Sequence, residues 1–265
     1  MMINSTTSGR TERRSRNRLR FTILEVALIS VFVGAAVWTF SNSSARVPVE
    51  GRVLADAYGP GRNSEGFEEW IIRDFFQQQR GGFFLDVGAN HYRAYSNTYY
   101  LEKFLGWSGI AVEPLVGFEP DYRQHRPATR FRPFFVSDVS NAEAKLYYLS
   151  KNHLVTSTEE SFTERYGSGA KELKVQTITL DDLLAAEEVQ SIDFMSMDIE
   201  LHEPKALAGF DITRFRPALV CIEAHPEVRQ PIIDYFTRHR YAVVAKYLRV
   251  DERNLYFAPL SASHP

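Results

Sequence analysis

Two runs of this chain carry residue types at spacings that suit chemistry. The first is Asp86-Val87-Gly88-Ala89-Asn90, a short turn with a carboxylate at its mouth and one glycine. The second is Asp198-Ile199-Glu200-Leu201-His202-Glu203, followed downstream by Glu223-Ala224-His225. Asp198 and Glu200 are two apart, so at the end of a strand both can face the same side. An imidazole such as His202 or His225, with an unperturbed pKa near ~6.5, suits a general base that takes a proton from a hydroxyl. A carboxylate such as Glu200 would orient that imidazole or bind acceptor hydroxyls. Asp198, Glu200, Glu223 and His225 also match a divalent metal by ligand type, but their spacing fits no fixed metal motif and no metal is expected. The structural alternative is that Glu203 complements a helix dipole and that His225 caps the following helix.

The turn is best understood through its ligand. Dinucleotide turns use three glycines and a helix N-terminus because a pyrophosphate must touch the backbone. Asp86 would repel such a group. S-adenosylmethionine has no phosphate and carries an ammonium and a sulfonium, so an acidic turn suits it on charge. Gly88 leaves a positive φ and close backbone approach available. Glu113 ends the next apolar run, in the place about 20 or more residues on where an acid partners ribose hydroxyls. Ser137 and Asp138 end a third run and are expected at the adenine edge.

These residues need a scaffold, and the hydrophobic pattern supplies one. Strands are expected at 83–87, 110–113, 131–137, 192–197, 218–223 and 241–247, with short ones at 145–149 and 174–178. Helices fit 65–79, 96–104, 180–186, 203–208 and 227–238. The alternation predicts an α/β fold with a doubly wound, mostly parallel sheet. A polar turn at 250–253 before residues 254–258 predicts a C-terminal antiparallel hairpin. In such sheets ligands bind beyond the carboxyl ends of the strands, where Asp86, Glu113, Asp198 and Glu223 all fall.

Several ordered motifs resemble the FkbM family of S-adenosylmethionine-dependent methyltransferases. They are residues 84–90, Ser96-Asn97-Thr98, Gly106-Trp107-Ser108-Gly109 with Glu113-Pro114, the element 179–184, the run 192–200 with His202-Glu203, and the strand 218–223. The resemblance spans roughly residues 83–225. It implies a class I methyltransferase (Rossmann-like) fold and S-adenosylmethionine as cofactor, bound by Asp86, Gly88, Ala89, Asn90, Asn97, Glu113, Ser137 and Asp138. It also implies methylation of hydroxyls on sugars, glycans, lipids or secondary metabolites, with Asp198, Glu200, His202 and His225 at the catalytic end. One departure stands out: Leu201 occupies a position where the family usually has glycine, which bears on the loop after Asp198. The competing reading is a non-catalytic, membrane-tethered binding or trafficking module that retains the fold.

Bulk properties narrow the partners. With 265 residues, 44% hydrophobic and 24% charged, the chain is of globular composition. A net charge of −2 gives no basic face for nucleic acid. The single cysteine, Cys221, sits in an apolar run and reads as a buried, inert thiol. Residues 1–20 form an arginine-rich tail. Residues 21–40 are apolar enough, and roughly long enough, to cross a ~30 Å hydrocarbon layer, with Glu25 as the exception. A cleaved signal peptide is the alternative, but the length favours a single-pass membrane anchor. Arginine bias places the N-terminus in the cytoplasm and leaves the side of the catalytic domain open. Residues 41–62, rich in Ser, Gly and Pro, read as a tether before a domain at 63–265.

Overall fold

The computed structural model describes residues 49–150 and 152–260. The tail 1–20 and the apolar run 21–40 lie outside the described residues. Among the described residues no helix is long and apolar enough to cross a membrane.

A seven-stranded sheet carries the fold. Its strands are β1 (Phe83–Val87), β2 (Ser108–Val112), β3 (Thr129–Arg132), β8 (Phe194–Met197), β9 (Leu219–Glu223), β10 (Tyr241–Val243) and β11 (Asn254–Pro259). They lie in the order β10-β11-β9-β8-β1-β2-β3. The run from β9 to β3 is parallel, while β11 is antiparallel to both β9 and β10. The expected C-terminal hairpin therefore closes the sheet, with β11 inserted between its partners. Chain order reverses between β1 and β8, which makes their carboxyl ends the switch point where ligands bind in such sheets.

Why these segments are strands follows from their burial. β8 and β9 are buried along their whole lengths, the pattern of parallel strands covered on both faces. The period of two then divides each strand between two cores. Leu85, Val87, Met195, Met197, Val220 and Ile222 pack into one, and Phe84, Phe194, Leu219 and Cys221 into the other with Trp70 and Trp107. Cys221 is buried, and its burial pushes the thiol pKa well up, as expected of an inert side chain.

Among the departures from the sequence expectation, three bear on the site, the C-terminal hairpin or the tether. The run at 131–137 is broken: β3 ends at Arg132, and Pro133, which has no N–H to donate, precedes a turn into β4 (Phe135–Val136). β4 joins a second sheet with β5 (Glu143–Leu149), β6 (Asn152–Ser157) and β7 (Lys171–Ile178), in the order β4-β7-β5-β6. Ser137 consequently leaves the main sheet, and its N–H bonds the Ile178 carbonyl at 2.9 Å. The strand expected at 241–247 stops at Val243 and gives way to a 3-10 turn, Ala245–Tyr247. The stretch 41–62, read as a tether, contains a helix at Val49–Tyr58 whose Leu54 packs in the Trp70 cluster.

Candidate active site

The carboxyl ends of β1, β8 and β9 and the start of β11 surround a cleft of about 320 Å³. Asp86, Ala89, Asn97 and Ser196 line it together with Asp198, Glu200, Glu223 and His225, and Glu68, Tyr166, Arg253 and Asn254 complete a polar wall. A narrower chamber adjoins it, bordered by Glu113, Pro114, Phe135 and His153 and sharing Gly88, Asn90, Asp198 and Glu200 with the cleft.

The acidic turn is built from β1 outward. Gly88 has φ +82°, and a Cβ there would sit 1.8 Å from the Asp198 carbonyl oxygen. Its glycine identity is thus dictated by contact with the exit of β8 as well as by backbone conformation. The Gly88 and Ala89 N–H groups both bond the Val112 carbonyl, at 2.9 and 3.2 Å. The Asn90 N–H is donated to one Glu113 oxygen at 3.1 Å, and the Leu115 N–H to the other at 2.9 Å. Burial pushes Glu113 up to about 7, against those two N–H groups. Each Glu113 oxygen thus accepts from one backbone donor and keeps a second acceptor position for a diol.

Asp86 is held by a relay that the sequence did not announce. It accepts from the Thr98 hydroxyl at 2.7 Å, and that hydroxyl accepts from Arg126 Nη2 at 3.2 Å. Arg126 is fully buried, paired with Glu102, and donates to the Tyr92 carbonyl at 2.9 Å. Burial raises the Asp86 pKa, and Thr98 and Arg126 moderate the rise. Asn97 reaches across to β8, donating to the Ser196 hydroxyl at 2.9 Å. Ser196 lies directly opposite Asp86 in the sheet. Arg126 lies in no motif, and Ser196 lies within the run 192–200 without being singled out from it. Arg126 stands among Arg123, Arg130 and Arg132, and only the fold distinguishes it.

Not all the expected residues meet. Asp198, Glu200 and His225 converge on the cleft with Glu223 and Glu203. His202, Ser137 and Asp138 instead gather at the exit of β4 and line neither cleft nor chamber. The His202 ring is buried, its centroid 4.6 Å from that of Phe135. Its Nε2 lies 3.0 Å from the Ser137 hydroxyl, which donates in turn to Asp138 at 3.0 Å. Burial pushes His202 down to about 4, so it is a neutral imidazole at ordinary pH. The cause is the loop after β8. Glu200 and Leu201 both have positive φ, +52° and +77°, and the chain turns there before His202, which packs beside Phe135 and Ser137. Leu201 thus takes the left-handed conformation that glycine adopts freely, at a cost of roughly 1–2 kcal/mol. Packing of its side chain against the cluster of Leu149, Val155 and Phe162 offsets that cost.

The convergent cluster is rich in carboxylates. His225 Nε2 lies 3.1 Å from Glu200 Oε2, to which it donates, and 3.0 Å from Glu223 Oε2. The Glu223 contact, then Glu200, raises His225 to about 9 against the effect of burial. Burial and the Glu223 charge push Glu200 up to about 8. Glu223 goes the other way: burial opposes ionisation, but His225 prevails and holds its pKa below the usual range. Burial lifts Glu203 to about 7. Solvent entering the cleft reaches Asp198, yet confinement at the cleft floor, and then the charges of Glu223 and Glu200, push it well above an ordinary aspartate.

A mostly parallel sheet with this strand order, an antiparallel strand inserted near one edge and an acid at the end of both β1 and β2 defines the class I methyltransferase fold. The family model described as the methyltransferase FkbM domain matches residues 86–243, and the chain belongs to that family. S-adenosylmethionine is the cofactor of this class. The residues present fit it: two acids and no glycine-rich phosphate cradle face the switch point. No curated protein matches the sequence significantly. Solved structures with some likeness include a 1,6-didemethyltoxoflavin-N1-methyltransferase from Burkholderia thailandensis with bound 1,6-didemethyltoxoflavin and S-adenosylhomocysteine. It is 11% identical, with 91% of each chain covered and a TM-score of 0.35. A protein from Pyrococcus horikoshii provisionally described as an RNA methyltransferase is 13% identical, with 82% of this chain and 99% of that chain covered and a TM-score of 0.37.

Proposed function

We propose that this protein transfers the methyl group of S-adenosylmethionine to a hydroxyl oxygen of a polar acceptor such as a sugar, free or carried on a glycan or lipid. The observation that carries the reading is the Glu200–His225 pair, 3.1 Å apart on the cleft wall and beside the turn that bears Asp86. The bound cofactor supplies an electrophilic methyl carbon. The chain's own residues do the rest. Glu113 accepts hydrogen bonds from the ribose diol, while Asp86 and the Asn97–Ser196 contact shape the floor beneath the donor's amino acid end. Glu200 accepts the acceptor's proton, with a pKa of about 8 that lies close to working pH. His225, charged at that pH, steadies the carboxylate it bonds. The polar wall of Glu68, Arg253, Asn254 and Tyr166 suits a hydroxyl-rich acceptor.

The apolar run 21–40 completes the proposal as a single-pass anchor, which would hold the domain near lipid-linked acceptors. The test is transfer of labelled methyl from S-adenosylmethionine by the full chain to a panel of glycans, glycolipids and polyhydroxylated small molecules. Products methylated on oxygen support the reading. Methylation confined to nitrogen, or a folded protein that binds no S-adenosylmethionine, defeats it, and the second result favours the non-catalytic module.

A further inference from the structure

Two carboxylate oxygens in the cluster have no hydrogen-bond partner. Glu203 is fully buried at the start of the helix Glu203–Ala208. Its Oε1 accepts the Ile199 N–H at 3.0 Å, which fixes the carboxylate, while its Oε2 is buried and unpartnered. Glu223, only 8% exposed, has an Oε2 in the same condition. His225 Nε2 lies 3.0 Å from that oxygen and 3.1 Å from Glu200, so Glu223 has a cation in contact and the Glu203 oxygen is the one left with none. Arg253, another cation close by, is engaged by Glu65 at 3.0 Å and Glu68 at 3.8 Å. Buried carboxylates without partners are costly, and partners of opposite charge are what offset the cost.

Asp198 adds a third oxygen at the same point. One ligand atom from each of Asp198, Glu203 and Glu223 lies within 4.8 Å of the others. Oxygens on a single Mg²⁺, Mn²⁺ or Ca²⁺ ion at about 2.0–2.6 Å are at most about 4–5 Å apart, so the spread suits one shared ion. The three come from three places in the sheet, namely the exit of β8, the helix that follows it and the end of β9. No local sequence motif therefore marks them, which is why spacing argued against a metal. Asp198 opens onto the cleft and gives an ion both access and free coordination positions there.

We propose that Asp198, Glu203 and Glu223 bind one divalent cation of the hard, oxygen-preferring class, Mg²⁺ or Mn²⁺, with its open side toward the cleft. The donor set is all carboxylate oxygen, which suits these ions rather than softer ones. Glu200 and His225 stay outside the triad, with His225 in contact with both Glu200 and Glu223. The ion site rests on the carboxylate geometry alone. Its use rests on the methyl-transfer reading: an acceptor hydroxyl on the open side would be polarised for loss of its proton to Glu200.

Titrating the full chain in detergent with Mn²⁺, read by loss of the free-ion paramagnetic resonance signal, tests the site. The expected result is saturation at one ion per chain, competed by Mg²⁺, with affinity falling at least about tenfold in Glu203→Gln, since each lost charged ligand contact is worth more than the ~1.4 kcal/mol of a tenfold change. Glu203→Gln keeps an oxygen for the Ile199 N–H. Asp198→Asn, at the cleft surface, is the second variant and should weaken binding likewise. No uptake by the folded wild-type chain at millimolar Mn²⁺, or unchanged affinity in both variants, overturns the site. S-adenosylmethionine binding is measured on the same sample. Mn²⁺ uptake without it sustains the ion site and defeats the methyl-transfer reading, and the converse result defeats the ion site only.

Discussion

Gly88 and the carbonyl oxygen of Asp198 approach so closely that a Cβ on residue 88 would lie 1.8 Å from that oxygen. The turn after β1 and the exit of β8 are therefore locked together, and the donor side of the cleft is held in register with the carboxylate cluster. Gly88→Ala meets two costs, a left-handed φ of +82° and the overlap itself. Together these amount to about 2–5 kcal/mol. Thermal unfolding should show a melting temperature lowered by roughly 2–4 °C per kcal/mol.

Glu200 sets the expected pH profile. A base must be unprotonated to act, so in protein freed of divalent cations kcat/KM should rise with pH through about 8, the value to which burial and Glu223 lift Glu200. Glu200→Gln should lower kcat by about 10²–10⁴-fold and abolish that limb of the profile. A profile that falls through this range, or a Glu200→Gln enzyme with full activity, would remove Glu200 from the role of base.

His202 provides a contrast, since it lies off the cleft. Its folded pKa, about 4, is below its unfolded value of about 6.5. Between those values the unfolded chain binds a proton that the native protein does not. Stability attributable to this group is thus complete above pH 6.5 and is lost as pH falls toward 4, by about 3 kcal/mol in all. The raised carboxyls Glu113, Glu200 and Glu203 act in the opposite sense, losing stability as pH rises through their folded values. The informative quantity is consequently the difference between wild type and His202→Gln. In urea titrations at pH 4 to 7 the variant should lose less stability than wild type on acidification, while methyl transfer is retained.

Arg126 joins the loop bearing Asn97 to the body of the sheet through Thr98, Tyr92 and Glu102. Arg126→Met removes the buried guanidinium from Glu102, leaving it the more exposed Lys103 and the Thr129 hydroxyl, and should cost about 3–5 kcal/mol. Arg126→Lys should rescue little, because a point charge cannot replace a planar fork that serves several acceptors. S-adenosylmethionine affinity, measured on whatever folded fraction remains, should drop in both variants as the Thr98 support of Asp86 is lost.

Much of the scaffold was legible in the sequence for one physical reason. β1, β2, β8 and β9 are mostly apolar runs with an acid at or just beyond the carboxyl end, Asp86, Glu113, Asp198 and Glu223, and strands buried on both faces in a parallel sheet tend to look that way. The second sheet was only partly legible because its strands are half-exposed and alternate poorly, as the burial of β5 illustrates. Pro133 divided a run that reads as one strand, and this carried Ser137 and Asp138 away from the switch point. The two histidines were indistinguishable by type. Strand periodicity ends at Met197, and the left-handed pair Glu200 and Leu201 then decides that His202 turns inward while His225 reaches the cleft. Glu203 read as a helix-dipole partner because its buried, unpaired oxygen is a property of three separate segments meeting.

The central claim is that the cleft at the β1–β8 switch point and the chamber adjoining it bind S-adenosylmethionine, with Glu113 holding its ribose. Equilibrium titration of the folded full chain with S-adenosylmethionine tests this most directly. One saturable site per chain, weakened at least about tenfold by Glu113→Ala as a buried charged partner is removed, is the predicted result. A folded chain that takes up no S-adenosylmethionine at millimolar concentration, or a Glu113→Ala chain that binds it as tightly as wild type, would contradict it.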